Sequence, residues 1–167
     1  VATTISKAQI DSAIFDGEYD IVLLDEASMA YIPQSIYAAS LAKKRVVFIG
    51  DFRQLSPIAI SEGELVDKWL KKDIFEFSKV KECVSNNRFH PNMVMLFEQR
   101  RMHPSISRFV NENIYNTLLK DHKTVINTKT SRESLSIVDT RLMSSICQVD
   151  ENRPRFNIFN ALISVSI

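Results

Sequence analysis

Two adjacent carboxylates, Asp25 and Glu26, directly follow an apolar run at residues 21–24. If that run is a strand of a parallel sheet, both acids arrive at the carboxyl edge of the sheet, where α/β proteins bind their ligands. In nucleotide hydrolases the first acid of such a pair holds Mg²⁺, usually through water, and the second acts as general base toward the attacking water. The same short pattern is compatible with an acidic pair that begins an ordinary loop.

A second apolar run, residues 46–49, ends in a polar loop that contains Gly50, Asp51 and Gln54. Glycine permits a tight turn, and a glutamine amide can hydrogen-bond the γ-phosphate of a nucleotide or the water that attacks it. Gln54 could therefore report the state of the nucleotide. A strand, a turn and a second strand with ordinary turn residues would show the same pattern, so this alternative stays open.

A compact basic cluster lies at residues 99–104, where Arg100 and Arg101 precede a methionine, a histidine and a proline. An arginine here could neutralise the charge that develops on a transferred phosphoryl group, as arginine fingers do. The alternative is a solvated basic cap on the helix that follows.

The elements that position these residues alternate between strand and helix. Residues 19–24, 45–49 and 135–138 are short apolar runs rich in β-branched side chains, which predicts buried parallel strands. Between the first two, residues 33–42 begin with Pro33 and show apolar residues at helical spacing, which predicts a helix. The order strand, helix, strand is a βαβ unit, and it places the chain in the α/β class.

Hydrophobic periodicity predicts further elements around this unit. A strand, a charged turn and a helix in succession would carry the basic cluster. We expect helices at residues 6–15, 62–80, 105–119 and 155–167, a strand at residues 93–97, and a surface connection without regular structure at residues 120–133.

The composition excludes several classes of protein. Across 167 residues the 21 basic and 20 acidic side chains nearly cancel, so no bulk positive charge points to a nucleic-acid ligand, although a neutral chain can carry a local basic groove. Cys83 and Cys147 lack the spacing of a disulfide framework or a zinc site, and His90, His103 and His122 lack metal-ligand spacing. No apolar run reaches the roughly 18 residues that a membrane helix needs, so we expect a soluble, intracellular protein.

Three segments in this order resemble the motifs of one family. DEAS at residues 25–28, GDFRQLSP at residues 50–57 and QRRMHP at residues 99–104 resemble the Walker B motif, motif III and motif IV of superfamily 1 helicases, in the branch typified by the nonsense-mediated-decay helicase. Similarity also extends to the flanking residues 1–8, 74–76 and 157–161.

The resemblance implies a partial RecA-like fold of the P-loop NTPase type with a parallel sheet. Residues 1–95 would form the C-terminal part of the first RecA-like domain, and residues 96–167 would begin the second. The implied catalytic set is Glu26 for water activation, Gln54 for γ-phosphate sensing and Arg101 as the arginine finger. The residues implied to contact the nucleotide or its metal are Asp25 (to Mg²⁺ through water), Gly50 and Asp51 (shaping the motif III loop), Gln54 and Arg101.

One position departs from the family pattern. The family usually has an aromatic residue where this chain has Arg100, whereas Arg101 occupies the family's arginine position. The resemblance therefore assigns the finger to Arg101.

The implied function is that of an ATP-dependent helicase, with ATP and Mg²⁺ as cofactors and single-stranded or duplex DNA or RNA as partner. Two alternatives are a non-catalytic interaction module and an ATPase of the same fold that does not unwind. Gly17, Gly50 and Gly63 fit no GxxxxGK[ST] phosphate loop. We therefore expect this chain to be an internal piece of its parent protein, to lack ATPase activity and tight ATP binding by itself, and to self-associate through an uncovered apolar face.

Overall fold

The computed structural model describes residues 1–127, 135, 138–139, 148–150 and 153–166. The chain forms two compact units. Unit 1 comprises Val1–Phe97 and Asn111–Leu118, and unit 2 comprises Glu98–Val110 and Leu119–Ile167. Unit 1 is therefore discontinuous in sequence.

Helices and strands alternate at the start of the chain, and shorter elements follow. In chain order the elements are α1 (Ile5–Ile10), α2 (Ser12–Phe15), β1 (Tyr19–Leu24), α3 (Ile32–Ser40), β2 (Ala42–Phe48), α4 (Glu64–Trp69), α5 (Ile74–Phe77), α6 (Val80–Ser85), β3 (Glu98–Gln99), α7 (Pro104–Asn113), β4 (Lys120–Asp121), α8 (Lys123–Ile126), β5 (Gln148–Asp150), β6 (Arg153–Phe156) and α9 (Ile158–Ser166).

The sheet that positions the first two motifs consists of β1 and β2. The strands pair in parallel, with Val22 opposite Val46 and Leu24 opposite Phe48. α3 connects the strands and packs against both. The predicted βαβ unit is therefore confirmed, and with it the α/β class.

α3 is stabilised at its start and along one face. The Gln34 side chain accepts a hydrogen bond from the Tyr31 backbone N–H at 3.0 Å, and Pro33 occupies the first turn, where its missing N–H has no intrahelical partner to lose. Ile32 and Ala38 are buried. The helix thus holds the two strands side by side, with their carboxyl ends adjacent.

The strands are less buried than the sequence predicted. Alternate side chains of β1 are half-buried, but Ile21 and Leu23 between them are 56% and 64% exposed, and Val47 on β2 is 43% exposed. Apolar residues on both sides of a strand indicate burial on both faces, and here one face of the sheet is open. The prediction that these strands are buried is therefore wrong for Ile21, Leu23 and Val47.

Two predicted helices are interrupted by capping aspartates. The helix expected at residues 6–15 divides at Asp11, whose carboxylate accepts the Ala13 N–H at 3.1 Å and begins α2. The helix expected at residues 62–80 divides into α4 and α5, because the buried Asp73 carboxylate accepts the Glu76 N–H at 2.8 Å. Aspartate favours such caps over the interior of a helix.

Unit 2 contains the parallel pair β3 and β4, with Glu98 opposite Lys120. The strand predicted at residues 93–97 is wrong, since those residues are irregular and pairing begins at Glu98. The connection predicted at residues 120–133 is also wrong in its first half, which forms β4 and α8. Both elements are short and polar, so hydrophobic periodicity gave no signal for them.

α7 ends at Asn113, before the predicted end at residue 119. Asn116 and Thr117 have left-handed φ values of 50° and 61°, which no helix can contain. The Thr117 N–H donates to the Asn111 carbonyl at 3.0 Å, which closes the turn that follows the helix. The chain therefore reverses directly after α7.

The last described elements are β5 and β6, which pair antiparallel, and α9. The helix predicted at residues 155–167 begins only at Ile158, because residues 155–156 belong to β6. The strand predicted at residues 135–138 has its centre, residues 136–137, outside the described residues. Among the residues that the structure describes, no helix has the length and hydropathy required to cross a membrane.

Candidate active site

Backbone hydrogen bonds continue beyond the last paired residues of β1 and β2, and they form a bulge at the two carboxylates. The Ile49 N–H donates to the Leu24 carbonyl at 2.8 Å, and the Ala27 N–H donates to the Ile49 carbonyl at 2.8 Å. A regular parallel ladder would use the Glu26 N–H for the second bond, so β1 is followed by one extra residue. Glu26 has a left-handed φ of 51°, and its N–H donates instead to the Asp25 carboxylate at 3.0 Å.

The bulge presents both acids to solvent at the carboxyl end of β1. The Asp25 and Glu26 side chains are exposed, whereas the next residues, Ala27 and Ser28, are buried. One oxygen of Asp25 is used by the Glu26 N–H. The carboxylate of Glu26 has no hydrogen bond or ion pair within the described residues, which leaves it available to a water molecule.

Gly50 brings the loop after β2 against this bulge. A Cβ atom at this position would lie 3.0 Å from the Ser28 nitrogen, 3.1 Å from the Ala27 nitrogen and 3.1 Å from a ring carbon of Phe75. Two of these neighbours are backbone atoms, so the space cannot be made by a side-chain movement. Glycine therefore permits the close approach of this loop to the backbone of Ala27 and Ser28.

Asp51 organises the loop that carries Gln54. One carboxylate oxygen accepts the Arg53 N–H at 3.0 Å. The other accepts the Gln54 side-chain amide at 2.9 Å and the Tyr115 hydroxyl. Both carboxylate oxygens of Asp51 are therefore occupied by donors from the loop and from Tyr115.

Tyr115 is the residue of this site that sequence reasoning missed. Its ring lies 5.7 Å from the guanidinium carbon of Arg53, and that guanidinium donates to the Ile114 carbonyl at 2.9 Å. Burial raises the pKa of the Tyr115 phenol, and its hydrogen bond to the negatively charged Asp51 raises that pKa further. No local pattern marks this tyrosine, because its partner is 64 positions earlier in the chain.

The basic cluster lies in unit 2 and is organised by Gln99. The Gln99 amide oxygen accepts the N–H groups of Arg101 at 2.9 Å and of Met102 at 2.8 Å. Its amide nitrogen donates to the Asp121 carboxylate at 2.5 Å. The backbone of the cluster is thereby fixed before α7 begins.

The two arginines of the cluster are in different situations. Arg100 donates to the Glu98 carboxylate at 2.8 and 3.2 Å, and this hydrogen bond holds the pKa of Glu98 below its ordinary value. The Arg101 guanidinium is exposed and makes no hydrogen bond or ion pair with the part of the chain that the structure describes. Among the described residues, Arg101 therefore differs from Arg100 in having no carboxylate partner.

The predicted site residues fall into two groups. Asp25, Glu26, Gly50, Asp51 and Gln54 lie in unit 1, just beyond the carboxyl ends of two neighbouring parallel strands. Arg101 lies in unit 2.

Two protein-family models match this chain. Residues 1–62 match the model of a family described as an AAA domain. Residues 75–161, about half of the chain, match a second family model with the same description. The chain belongs to the AAA domain family.

Several curated proteins similar to this chain are named as helicases. The chain is 31% identical to Regulator of nonsense transcripts 1 of Dictyostelium discoideum over 94 residues, which is 56% of this chain and 6% of that protein. It is 32% identical over 124 residues to an uncharacterized ATP-dependent helicase of Methanocaldococcus jannaschii, covering 73% and 17%. With the ATP-dependent helicase upf1 of Schizosaccharomyces pombe the identity is 30% over 111 residues, covering 66% and 11%.

These matches make the chain a superfamily 1 helicase domain of the nonsense-transcript-regulator branch, and the predicted resemblance is confirmed. Its fold is a partial RecA-like α/β fold, as predicted. The chain spans between 6% and 17% of the length of the three relatives described.

Proposed function

We propose that the whole protein is an ATP-dependent helicase that couples ATP hydrolysis to movement along a nucleic-acid strand and to unwinding. One observation carries this proposal: an exposed acidic bulge after β1 adjoins the Gly50 loop after β2, at the carboxyl edge of a parallel sheet. Ligands of open α/β sheets bind at this edge. The names of the relatives, two of which are ATP-dependent helicases, support the same activity.

Glu26 is the proposed general base. Its carboxylate is exposed and without a partner among the described residues, and the left-handed backbone fixes where it leaves the strand. A carboxylate so placed can accept a proton from water as that water attacks the γ-phosphorus. The left-handed backbone costs about 1–2 kcal/mol, and strain of this kind is found at functional sites.

Asp25 is the proposed contact to Mg²⁺. Its carboxylate keeps one oxygen beyond the hydrogen bond from the Glu26 N–H, and carboxylate oxygen is the ligand that Mg²⁺ prefers. The described residues contain no group of three or more potential metal ligands, which fits a cation that is held by one or two carboxylates, water and the phosphates of its substrate. Bound Mg²⁺ would neutralise charge on the phosphate oxygens.

Gln54 and Arg101 are proposed to act on the γ-phosphate. Gln54 extends from the loop fixed by Asp51 and would hydrogen-bond the γ-phosphate or the attacking water. Arg101 has an uncommitted guanidinium, whose planar fork suits phosphate oxygens. Arg100 is engaged by Glu98, which favours Arg101 as the finger.

We propose further that residues 1–95 belong to a first RecA-like domain and that residues 96–167 begin a second. The partner is proposed to be single-stranded nucleic acid bound through its backbone and bases. Because the proposed substrate is ATP and the proposed partner is nucleic acid, we propose that the protein acts inside the cell.

The test is steady-state hydrolysis of ATP by the whole protein, with and without poly(U) or poly(dT). We expect nucleic acid to stimulate hydrolysis and Glu26→Gln to lower kcat by at least about 100-fold, since it removes the base but preserves size. Glu62→Gln, at an exposed loop glutamate, is the matched control and should hydrolyse ATP normally. A wild-type protein that hydrolyses no ATP, or a Glu26→Gln variant with the wild-type rate, would overturn the proposal.

A further inference from the structure

Asp51 determines which end of the Gln54 amide faces it. A carboxylate is only an acceptor, so the Gln54 group 2.9 Å from Asp51 must be the NH₂ end. The amide oxygen is then directed away from Asp51, and it accepts no hydrogen bond from the described residues. An acceptor of this kind is what a water molecule needs in order to be aligned for attack.

The Tyr115 hydroxyl donates to the same carboxylate oxygen that receives the Gln54 amide, and it also interacts with the Gln54 side chain itself. Two donors on one oxygen fix the rotation of the Asp51 carboxylate more firmly than one. The second oxygen is held by the Arg53 N–H at 3.0 Å. Tyr115 thereby completes a set of three donors around Asp51 and holds Gln54 in one orientation.

Tyr115 is itself held in place at some cost. Arg53 lies over its ring and donates to the carbonyl of the preceding Ile114 at 2.9 Å. The next two residues, Asn116 and Thr117, have left-handed φ values of 50° and 61°, which are unfavourable for a β-branched residue such as threonine. Such strain persists where the surrounding structure fixes the conformation, and it occurs most often at functional sites.

We propose that Tyr115 is a positioning residue for ATP hydrolysis, which acts through Asp51 to present the Gln54 amide oxygen to the attacking water. This inference rests on the proposed function. It gives the segment after α7 a positioning role in the chemistry of motif III. The hydroxyl group, and not the aromatic ring, carries the effect.

The test is a double-mutant cycle in the whole protein with saturating single-stranded nucleic acid. Tyr115→Phe removes only the hydroxyl, and Gln54→Ala removes the group on which it acts. We expect each single variant to lower kcat about tenfold or more, with the KM for ATP changed less than about twofold, because the loss concerns the attacking water. The double variant should be no slower than Gln54→Ala, since the two residues act in one chain.

Tyr37→Phe is the matched control. The Tyr37 hydroxyl donates to the Ala8 carbonyl in unit 1, so its removal also costs one tyrosine hydrogen bond, away from motif III. Its kcat should equal that of the wild type, and both tyrosine variants should remain folded at the assay temperature. A large loss of kcat in Tyr37→Phe would show that the readout reports stability, and would overturn the assignment of Tyr115.

Two further outcomes separate this inference from the proposed function. In the first outcome, the wild type hydrolyses ATP and its activity depends on Glu26, but Tyr115→Phe is fully active. The same conclusion follows if Tyr115→Phe lowers kcat by equal factors in the wild-type and Gln54→Ala backgrounds. The role of Tyr115 is then refuted and the helicase proposal stands. If the wild type hydrolyses no ATP, both proposals are refuted.

Discussion

The left-handed backbone of Glu26 predicts that the residue assigned to catalysis destabilises the fold. An L-residue with a φ of 51° pays about 1–2 kcal/mol, and glycine avoids this cost but loses more conformational entropy on folding. Glu26→Gly should therefore stabilise the protein by about 1 kcal/mol, which raises the unfolding temperature of a domain of this size by about 2–4 °C. The same variant should hydrolyse no ATP.

The measurement is thermal unfolding by calorimetry of wild type and variants at one pH. Glu26→Gln keeps the backbone strain and should unfold at the wild-type temperature. Glu62→Gly, at an exposed loop residue without a positive φ, should be less stable by about 0.4–1 kcal/mol, because glycine only increases the entropy of the unfolded chain there. Glu26→Gly unfolding at or below the wild-type temperature would refute the argument from strain.

Four other predictions test separate features. Arg101→Ala should lower the single-turnover rate of hydrolysis by about 10³-fold with little change in ATP affinity. Arg101→Lys should restore this rate only partly, and Arg100→Ala should have a much smaller effect. An inactive Arg100→Ala variant beside an active Arg101→Ala variant would assign the arginine finger to Arg100. Thr117→Gly should raise the free energy of unfolding, measured in urea, by about 1 kcal/mol, and a loss of stability would contradict the strain assigned to its φ of 61°. Because the pKa of Tyr115 is raised, its stabilising contribution is complete below the ordinary phenol pKa of about 10 and is lost as pH rises through its folded pKa. Tyr115→Phe should therefore lessen the loss of stability at alkaline pH, measured by circular dichroism. An identical pH profile of stability in the variant and the wild type would count against this. The 167-residue chain should self-associate in light scattering and Leu23→Lys, on the open sheet face, should reduce this; a monodisperse wild-type monomer would remove the basis of the prediction.

The parts of the fold that could be predicted from the sequence are those set by local pattern. β1 follows from an apolar, β-branched run, and α3 from Pro33 and the apolar spacing after it. The family resemblance followed from three ordered motifs. The roles of Glu26, Gln54 and Arg101 remain predictions.

The parts that could not be predicted depend on contacts between distant residues. The helix expected at residues 62–80 ends early because Asp73 is buried and caps α5, and burial of one aspartate leaves no trace in periodicity. The bulge at Glu26 inserts one residue after β1, and a sequence motif does not indicate such an insertion. Tyr115 follows α7 and lies 64 positions after Asp51 in the sequence. Their contact is therefore visible only in the folded chain.

The discontinuity of unit 1 has a consequence for the order of events during synthesis. Residues 111–118 leave the ribosome about 60 residues after Gln54, a delay of several seconds at about 5–20 residues per second. Until then the nascent chain holds β1, α3 and β2 but no phenol to donate to Asp51. A truncated chain that ends at Phe97 would keep this immature state permanently. The motif III loop is therefore completed late in translation. Its final hydrogen bond depends on residues 111–118, which are synthesised after the first segment of unit 2.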